Sequence, residues 1–238
     1  MQDNSLVARL RAHPAREKLV QHAFFCECAN TEMAKALAAR FIGQWWHPLH
    51  YFPTFLARTI VAADTLGTKS ATCRILFQEL GAGDPAQAHE EIYVSTMRAA
   101  GFSIEEITGA RPTQATSALV AGYERAAESE LTGLGFIYAT EVADLAMVSG
   151  IGAAVRQAVG DIALPWVDIH VQQEPDHVRE AHAALAFQFT ETQSMQIVTT
   201  AQAAWDLWVG FFDSLHADVA SHAGRAFAKS GSISLTSP

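Results

Sequence analysis

Ile169-His170-Val171-Gln172-Gln173-Glu174-Pro175-Asp176-His177 is the most informative stretch of the chain. Two imidazoles flank a carboxylate at i, i+4 and i+7, and on one continuous helix the three share a face. Pro175 works against continuity, because it lacks the N–H that would bond the carbonyl of Val171. The sequence therefore predicts a helix that begins near Glu174, carries Pro175 in its first turn and runs over about 174–189. The incoming residues 167–171 are expected to be extended, with His170 reaching the site from outside the helix. In both cases Glu174 and His177, three apart, stay on one helical face.

Outward from this segment the sequence reads as helix in both directions. Ala is abundant and period-two alternation of β-branched residues is scarce. Helices are expected over 14–28, 31–63, 69–80, 85–100, 103–107, 113–131, 133–159 and 192–229. Pro48 and Pro53 should break or bend the second. Gly81-Ala82-Gly83-Asp84-Pro85 reads as a helix end, a turn and a new N-terminus. The result is an all-α bundle in one domain, 1–229, followed by a Ser-rich tail, 230–238, expected to be flexible.

Composition narrows the function. Of 238 residues, half are apolar and 17% charged, which excludes a disordered chain. A net charge of −9 argues against a binder of phosphate backbones. The N-terminus is polar and unlike a secretory signal, and the longest apolar runs, such as 133–138 and 207–212, are too short for a bilayer. Cys26, Cys28 and Cys73 do not make a disulfide framework and read as small apolar fillers in a reduced compartment. A cytoplasmic protein with neither nucleic-acid nor membrane partners is expected. Ten histidines against sixteen Lys plus Arg raise the question of metal or acid–base chemistry.

Glu174-x-x-His177 is the arrangement used by carboxylate-bridged di-iron bundles. Imidazole with carboxylate suits iron or manganese better than structural zinc, which prefers thiolates. A bundle site needs donors from further helices. Glu141 sits in the apolar run Phe136-Ile137-Tyr138-Ala139-Thr140-Glu141, where an unpaired carboxylate is costly without a cation. Glu79 and His89 are the others, and the glycine-containing turn between them is expected to bring both side chains to one point. Each pair is also what solvated or helix-end residues would give, and Glu79 lies near a negative helix end.

Together these residues resemble the heme-oxygenase-like di-iron oxidase and oxygenase superfamily, often called iron-containing redox enzymes and related to the TenA and PqqC proteins. The resemblance runs over about 41–215. Glu79-Leu80-Gly81-Ala82-Gly83-Asp84 ahead of His89 is similar to that family's Glu-x-Gly-x-Gly run before a histidine. Glu141 lies in the apolar middle helix where the family places a ligand glutamate. His170, Glu174 and His177 resemble its His-x-x-x-Asp/Glu-x-x-His signature, and 44–55 resembles its early kinked helix. The resemblance implies a heme-oxygenase-like, TenA/PqqC-like bundle of about seven helices. It implies Glu79, His89, Glu141, His170, Glu174 and His177 as catalytic residues and as ligands of two Fe(II) ions. It further implies O2 as co-substrate, an external electron donor, and an amino-acid-like or fatty-acid-like substrate. N-oxygenation, C–C cleavage, desaturation and nitrile or alkene formation are the outcomes of that class. One departure is Glu174, where the family more commonly has Asp.

Trp45, Trp46, Phe52 and Tyr138 are the candidate substrate-pocket residues, with His47 and His50 beside them. Phe187 and Phe189 follow the His-Glu-His segment and read as core packing. Arg74 is a candidate for a substrate carboxylate, though a surface ion pair suits it better. A homodimer is the expected assembly. Two rivals stand beside this function. One is a TenA-like hydrolase or cofactorless oxidase in the same fold. The other is a helical interaction protein without catalysis.

Overall fold

The computed structural model describes residues 6–186 and 188–230, with side chains up to Val219. Phe187 and the expected tail beyond Ser230 lie outside the described residues. The described chain is helical throughout its regular elements: α1 Leu6–Arg11, α2 Pro14–Val20, α3 Ala23–Asn30, α4 Lys35–Ala62, α5 Leu66–Glu79, α6 His89–Ala99, α7 Ile104–Thr108, α8 Gln114–Ala126, α9 Glu130–Val159, α10 Pro165–Ala184 and α11 Glu191–Ser230. Seven of these have eleven residues or more and build the body of the bundle.

Caps explain most of the differences from the expected boundaries. The single helix expected over 14–28 is two, because His22 turns the chain and its ring accepts the backbone N–H of Phe24 at the start of α3. His13 caps α2 in the same way through Ala15 N. Asp84 caps only a 3-10 turn, Pro85–Gln87, so the next α-helix starts at His89 rather than at Pro85. Pro48 and Pro53 lie inside a helix that stays continuous over Lys35–Ala62.

The largest correction concerns α10. Residues 167–171 are helical, not extended, and Pro165 rather than Pro175 occupies the first turn. Pro175 sits in the interior of the helix on its exposed side, and Val171, whose carbonyl loses its partner, is 53% exposed. Water can satisfy that carbonyl, so the proline is tolerated. The continuous helix places His170, Glu174 and His177 on one buried stripe, the alternative that Pro175 argued against.

Helix α9 is the axis of the bundle and packs against α11, α10, α3 and α4. Its 30 residues are long and apolar enough to cross a membrane, and 72% of its most apolar 18-residue window is buried within the fold. At Gly135 a Cβ would lie 2.6 Å from the carbonyl oxygen of Ile197, so the glycine allows α11 to approach the backbone of α9. Between α4 and α11 the core is aromatic, with Trp45 packed on Trp208, Phe211 and Phe212, and Phe24 of α3 packs on Phe41 of α4.

Candidate metal centre

Four helices bring the polar residues of the core together. Glu79 is the last residue of α5 and His89 the first of α6. The reversal between them passes through Gly81 at φ +82°, where a Cβ would run into the backbone of Asp84 and Ala88. Helix α9 supplies Glu141, and α10 supplies His170, Glu174 and His177. All six are buried.

The donor atoms converge. His89 Nδ1 lies 3.0 Å from Glu79 Oε2, and His177 Nδ1 lies 3.7 Å from Glu79 Oε1 and 3.3 Å from Glu141 Oε2. One donor atom each from Glu141, Glu174 and His177 fall within 4.8 Å of one another. The His89 ring is 4.6 Å from that of His170 and 5.9 Å from that of His177. Asp144, one turn beyond Glu141 on α9, also enters the cluster, with Oδ2 at 3.9 Å from His170 Nε2.

Outer partners fix which ring nitrogen faces inward. His170 Nδ1 donates to the Trp166 carbonyl at 2.7 Å, leaving the lone pair on Nε2. His89 Nε2 donates to Gln173 Oε1 at 3.0 Å, which turns Nδ1 toward Glu79. This is how proteins orient metal-binding histidines. An unprotonated nitrogen next to a carboxylate oxygen puts two acceptors in contact, which is stable only with a cation or a proton between them.

The electrostatics point the same way. Among the described residues, the ion-pair partners of Glu79, Glu141 and Asp144 are imidazoles, with no Lys or Arg. Burial would raise Glu79, but His89, His177 and His170 hold it down at about 2. Burial also opposes charge on His177, yet Glu141 and Glu79 push it up to about 9. His170 is lowered to about 4 by burial and by the neighbouring His89. Glu141, Asp144 and Glu174 are all held above the ordinary carboxylate range, by burial first and then by neighbouring carboxylate charge, that of Glu79 on Glu141 and Asp144 and that of Asp144 and Glu141 on Glu174. The excess of buried carboxylate over positive charge is what a bound cation would balance.

Orphaned atoms complete the fit. Glu141 Oε1, both oxygens of Glu174, Asp144 Oδ2, His89 Nδ1 and His177 Nε2 are buried without a hydrogen-bond partner. The 3.0 Å between Glu79 and His89 lacks hydrogen-bond alignment, and it is the spacing of adjacent donors on one ion with bonds of about 2.1 Å. Oxygen and imidazole donors without thiolate suit iron or manganese. These residues fit a metal centre.

A small cavity of about 30 Å³ adjoins the donors. Trp45 and Phe52 line it, as do Tyr123 and Trp208, which the sequence reading did not single out. Trp46 points elsewhere and stacks on His50 at 4.5 Å. Tyr138 is away from the cavity, packed on the His182 ring at 5.5 Å. His47 bonds the Ala110 carbonyl and His50 bonds Glu90, so both serve packing around α4. Arg74 is paired with Glu180. Of the cysteines, Cys28 is buried while Cys26 and Cys73 are exposed, so only one is the filler expected of all three.

Asp144 is the residue of the cluster that sequence reasoning missed. Its signal was Glu141-x-x-Asp144, two carboxylates one turn apart on an otherwise apolar helix.

Solved structures share this architecture at low identity. A CadD-like protein of unknown function from Nostoc punctiforme matches with a TM-score of 0.74 at 16% identity, over 90% of this chain and 96% of its own. A domain with a heme oxygenase-like fold from Shewanella denitrificans gives 0.72 at 17% identity, over 98% and 97%. A TenA homologue from P. horikoshii gives 0.69 at 12% identity, over 89% and 98%. These likenesses establish a heme-oxygenase-like, TenA-like helical fold. No curated protein matches the sequence. The family described as iron-containing redox enzyme matches residues 39–209, which holds every residue of the buried cluster, and the chain belongs to that family.

Proposed function

We propose that this protein is a non-heme di-iron oxygenase or oxidase. The single observation that carries this reading is the buried set of carboxylate and imidazole donors whose inward atoms have no partner in the protein. Glu79, His89, Glu141, His170, Glu174 and His177 would hold two Fe(II) ions. Bound there, the iron pair would supply the electrons and binding sites for reductive activation of O2.

The chain's own residues do the rest. Gln173 and the Trp166 carbonyl hold the His89 and His170 rings in the tautomers that turn their lone pairs inward. Trp45, Phe52 and Trp208 wall the cavity with apolar surface and keep bulk water from the donors. Tyr123 Oη lies 3.1 Å from Thr140 Oγ1 in that wall, and burial raises its phenol far enough to keep the proton, so it stands as a neutral hydrogen-bond donor beside the cluster. At about 30 Å³ the cavity has room for a water or a dioxygen molecule, and an amino-acid-like or fatty-acid-like substrate requires it to widen.

A TenA-like hydrolase with a cysteine nucleophile is disfavoured by a specific observation. None of the three cysteines lines the cavity. The deciding experiment is anaerobic Fe(II) titration of folded apoprotein followed by O2 mixing across a panel of amino and fatty acids. Uptake of about two iron per chain with substrate-dependent O2 consumption is expected. Activity that survives chelation would support the hydrolase or cofactorless oxidase instead.

A further inference from the structure

Asp144 is set into the cluster like a ligand but belongs to no part of the six-residue set. It shares α9 with Glu141, three positions apart, so both carboxylates lean toward α10. Its Oδ2 is buried and unpartnered, and lies 3.9 Å from His170 Nε2, the nitrogen whose lone pair faces inward. It borders the same cavity as Glu79, Glu141, His170 and His177. The neighbouring Glu141 and Glu174 are more than nine-tenths buried, carry unpartnered oxygens of their own, and bring donor atoms within 4.8 Å of each other.

Charge counting gives Asp144 a purpose. Two divalent cations bring four positive charges. The six-residue set answers with three carboxylates, Glu79, Glu141 and Glu174, and leaves one positive charge in a buried site. A net buried charge is expensive, and a fourth carboxylate cancels it. Neither Lys nor Arg competes for that carboxylate among the described residues.

We propose that Asp144 is a seventh protein ligand, pairing with His170 to complete the second metal position between α9 and α10. This rests on the two-metal reading above. The Glu141-x-x-Asp144 pair then clamps the metals from α9, while the His170–Glu174–His177 stripe clamps them from α10.

The test is metal titration of the apoprotein, with Fe(II) under anaerobic conditions and with Co(II) followed by its visible absorption. Wild type, Asp144→Asn, Asp144→Glu and Asp168→Asn are compared, Asp168 being an exposed residue of α10. Wild type and Asp168→Asn should bind two metals. Asp144→Asn, which is isosteric, should keep one and bind the second at least tenfold more weakly, with an altered Co(II) spectrum. Asp144→Glu, which keeps the charge, should recover part of the second site. Circular dichroism of each apoprotein controls for folding. A folded Asp144→Asn protein that binds two metals with wild-type affinity and spectrum overturns the role of Asp144 alone. A wild-type protein that takes up one metal or none overturns the two-metal reading, and the assignment of Asp144 with it.

Discussion

Two histidine–carboxylate clusters stand in this molecule, and the same residue types serve different ends in them. On the outer side of α3 and α11, His22 pairs with Asp213 at 3.1 Å and His216 pairs with Glu27. Asp213 is 65% exposed, and each imidazole there has its own carboxylate. In the core, four carboxylates share three imidazoles, and the inward atoms are left over. The outer cluster is complete as protein and the inner one is not. A histidine near an acid therefore says little; a buried excess of donors with no remaining partner says much more.

The contrast is broken most directly by removing donors from each cluster. Glu141→Ala or Glu174→Gln should abolish uptake at one metal position or both, whereas His216→Ala should leave metal binding unchanged. Metal at a hundredfold excess over its Kd stabilises the native state by about 2.7 kcal/mol. For a chain of this size that is a rise in Tm of roughly 2–4 °C per kcal/mol. Calorimetry with and without Fe(II) should show this rise for wild type and His216→Ala, and its loss in the two core variants. Equal metal-dependent shifts in all four proteins would erase the distinction between the clusters.

A smaller effect is expected from the residue that orients a donor without touching the metal. Gln173→Ala frees the His89 ring and should weaken metal binding about 10–100-fold, the usual consequence of losing such a partner. Competition with a chelating dye measures it.

The pH dependence sharpens the comparison further. His177 holds its proton up to about 9 in the folded apoprotein, against 6.5 in an unperturbed imidazole. Its contribution to apoprotein stability is full below 6.5 and is lost as pH rises through about 9. The raised carboxyls of Asp144 and Glu174 act in the same direction, since the native state keeps protons there that the unfolded chain has released. His170, lowered to about 4, acts in the opposite sense only below 6.5. The Tm of apoprotein should therefore fall between pH 6.5 and 9. Metal binding needs the ligands deprotonated, so the gap between loaded and apo Tm should widen over the same interval. A flat apo profile would contradict the buried protons.

The smallest effect belongs to Arg74→Ala. Its ion pair with Glu180 is half exposed at the arginine, and such pairs contribute about 0–1 kcal/mol. Denaturant unfolding should barely move, and metal binding should not.

Much of this was legible in the sequence, and the exceptions have physical reasons. The all-helical class follows from composition and periodicity, and spacing together with resemblance points to the six polar residues that converge on the core. Pro175 misled, because a proline's effect depends on whether the carbonyl it orphans faces water, and exposure at Val171 is a tertiary fact. Tyr138 lies one turn before Glu141 in the sequence, yet its ring packs on His182 rather than on the cavity, and that depends on how the neighbouring helices pack around α9. Asp144 was visible as a second carboxylate on α9, yet only the packing of α9 against α10 sets it opposite His170. Tyr123 and Trp208 reach the cavity from α8 and α11, far from the motif, where pattern carries no sign of their meeting.

Anomalous diffraction at the iron edge, from crystals grown anaerobically with Fe(II), is the most direct test of the account. Two peaks are predicted among Glu79, His89, Glu141, His170, Glu174 and His177, with Asp144 in contact with one of them, and none at the pair His22 and His216. Absence of iron from the core cluster in crystals of folded protein, or iron bound at the outer histidines instead, would contradict it.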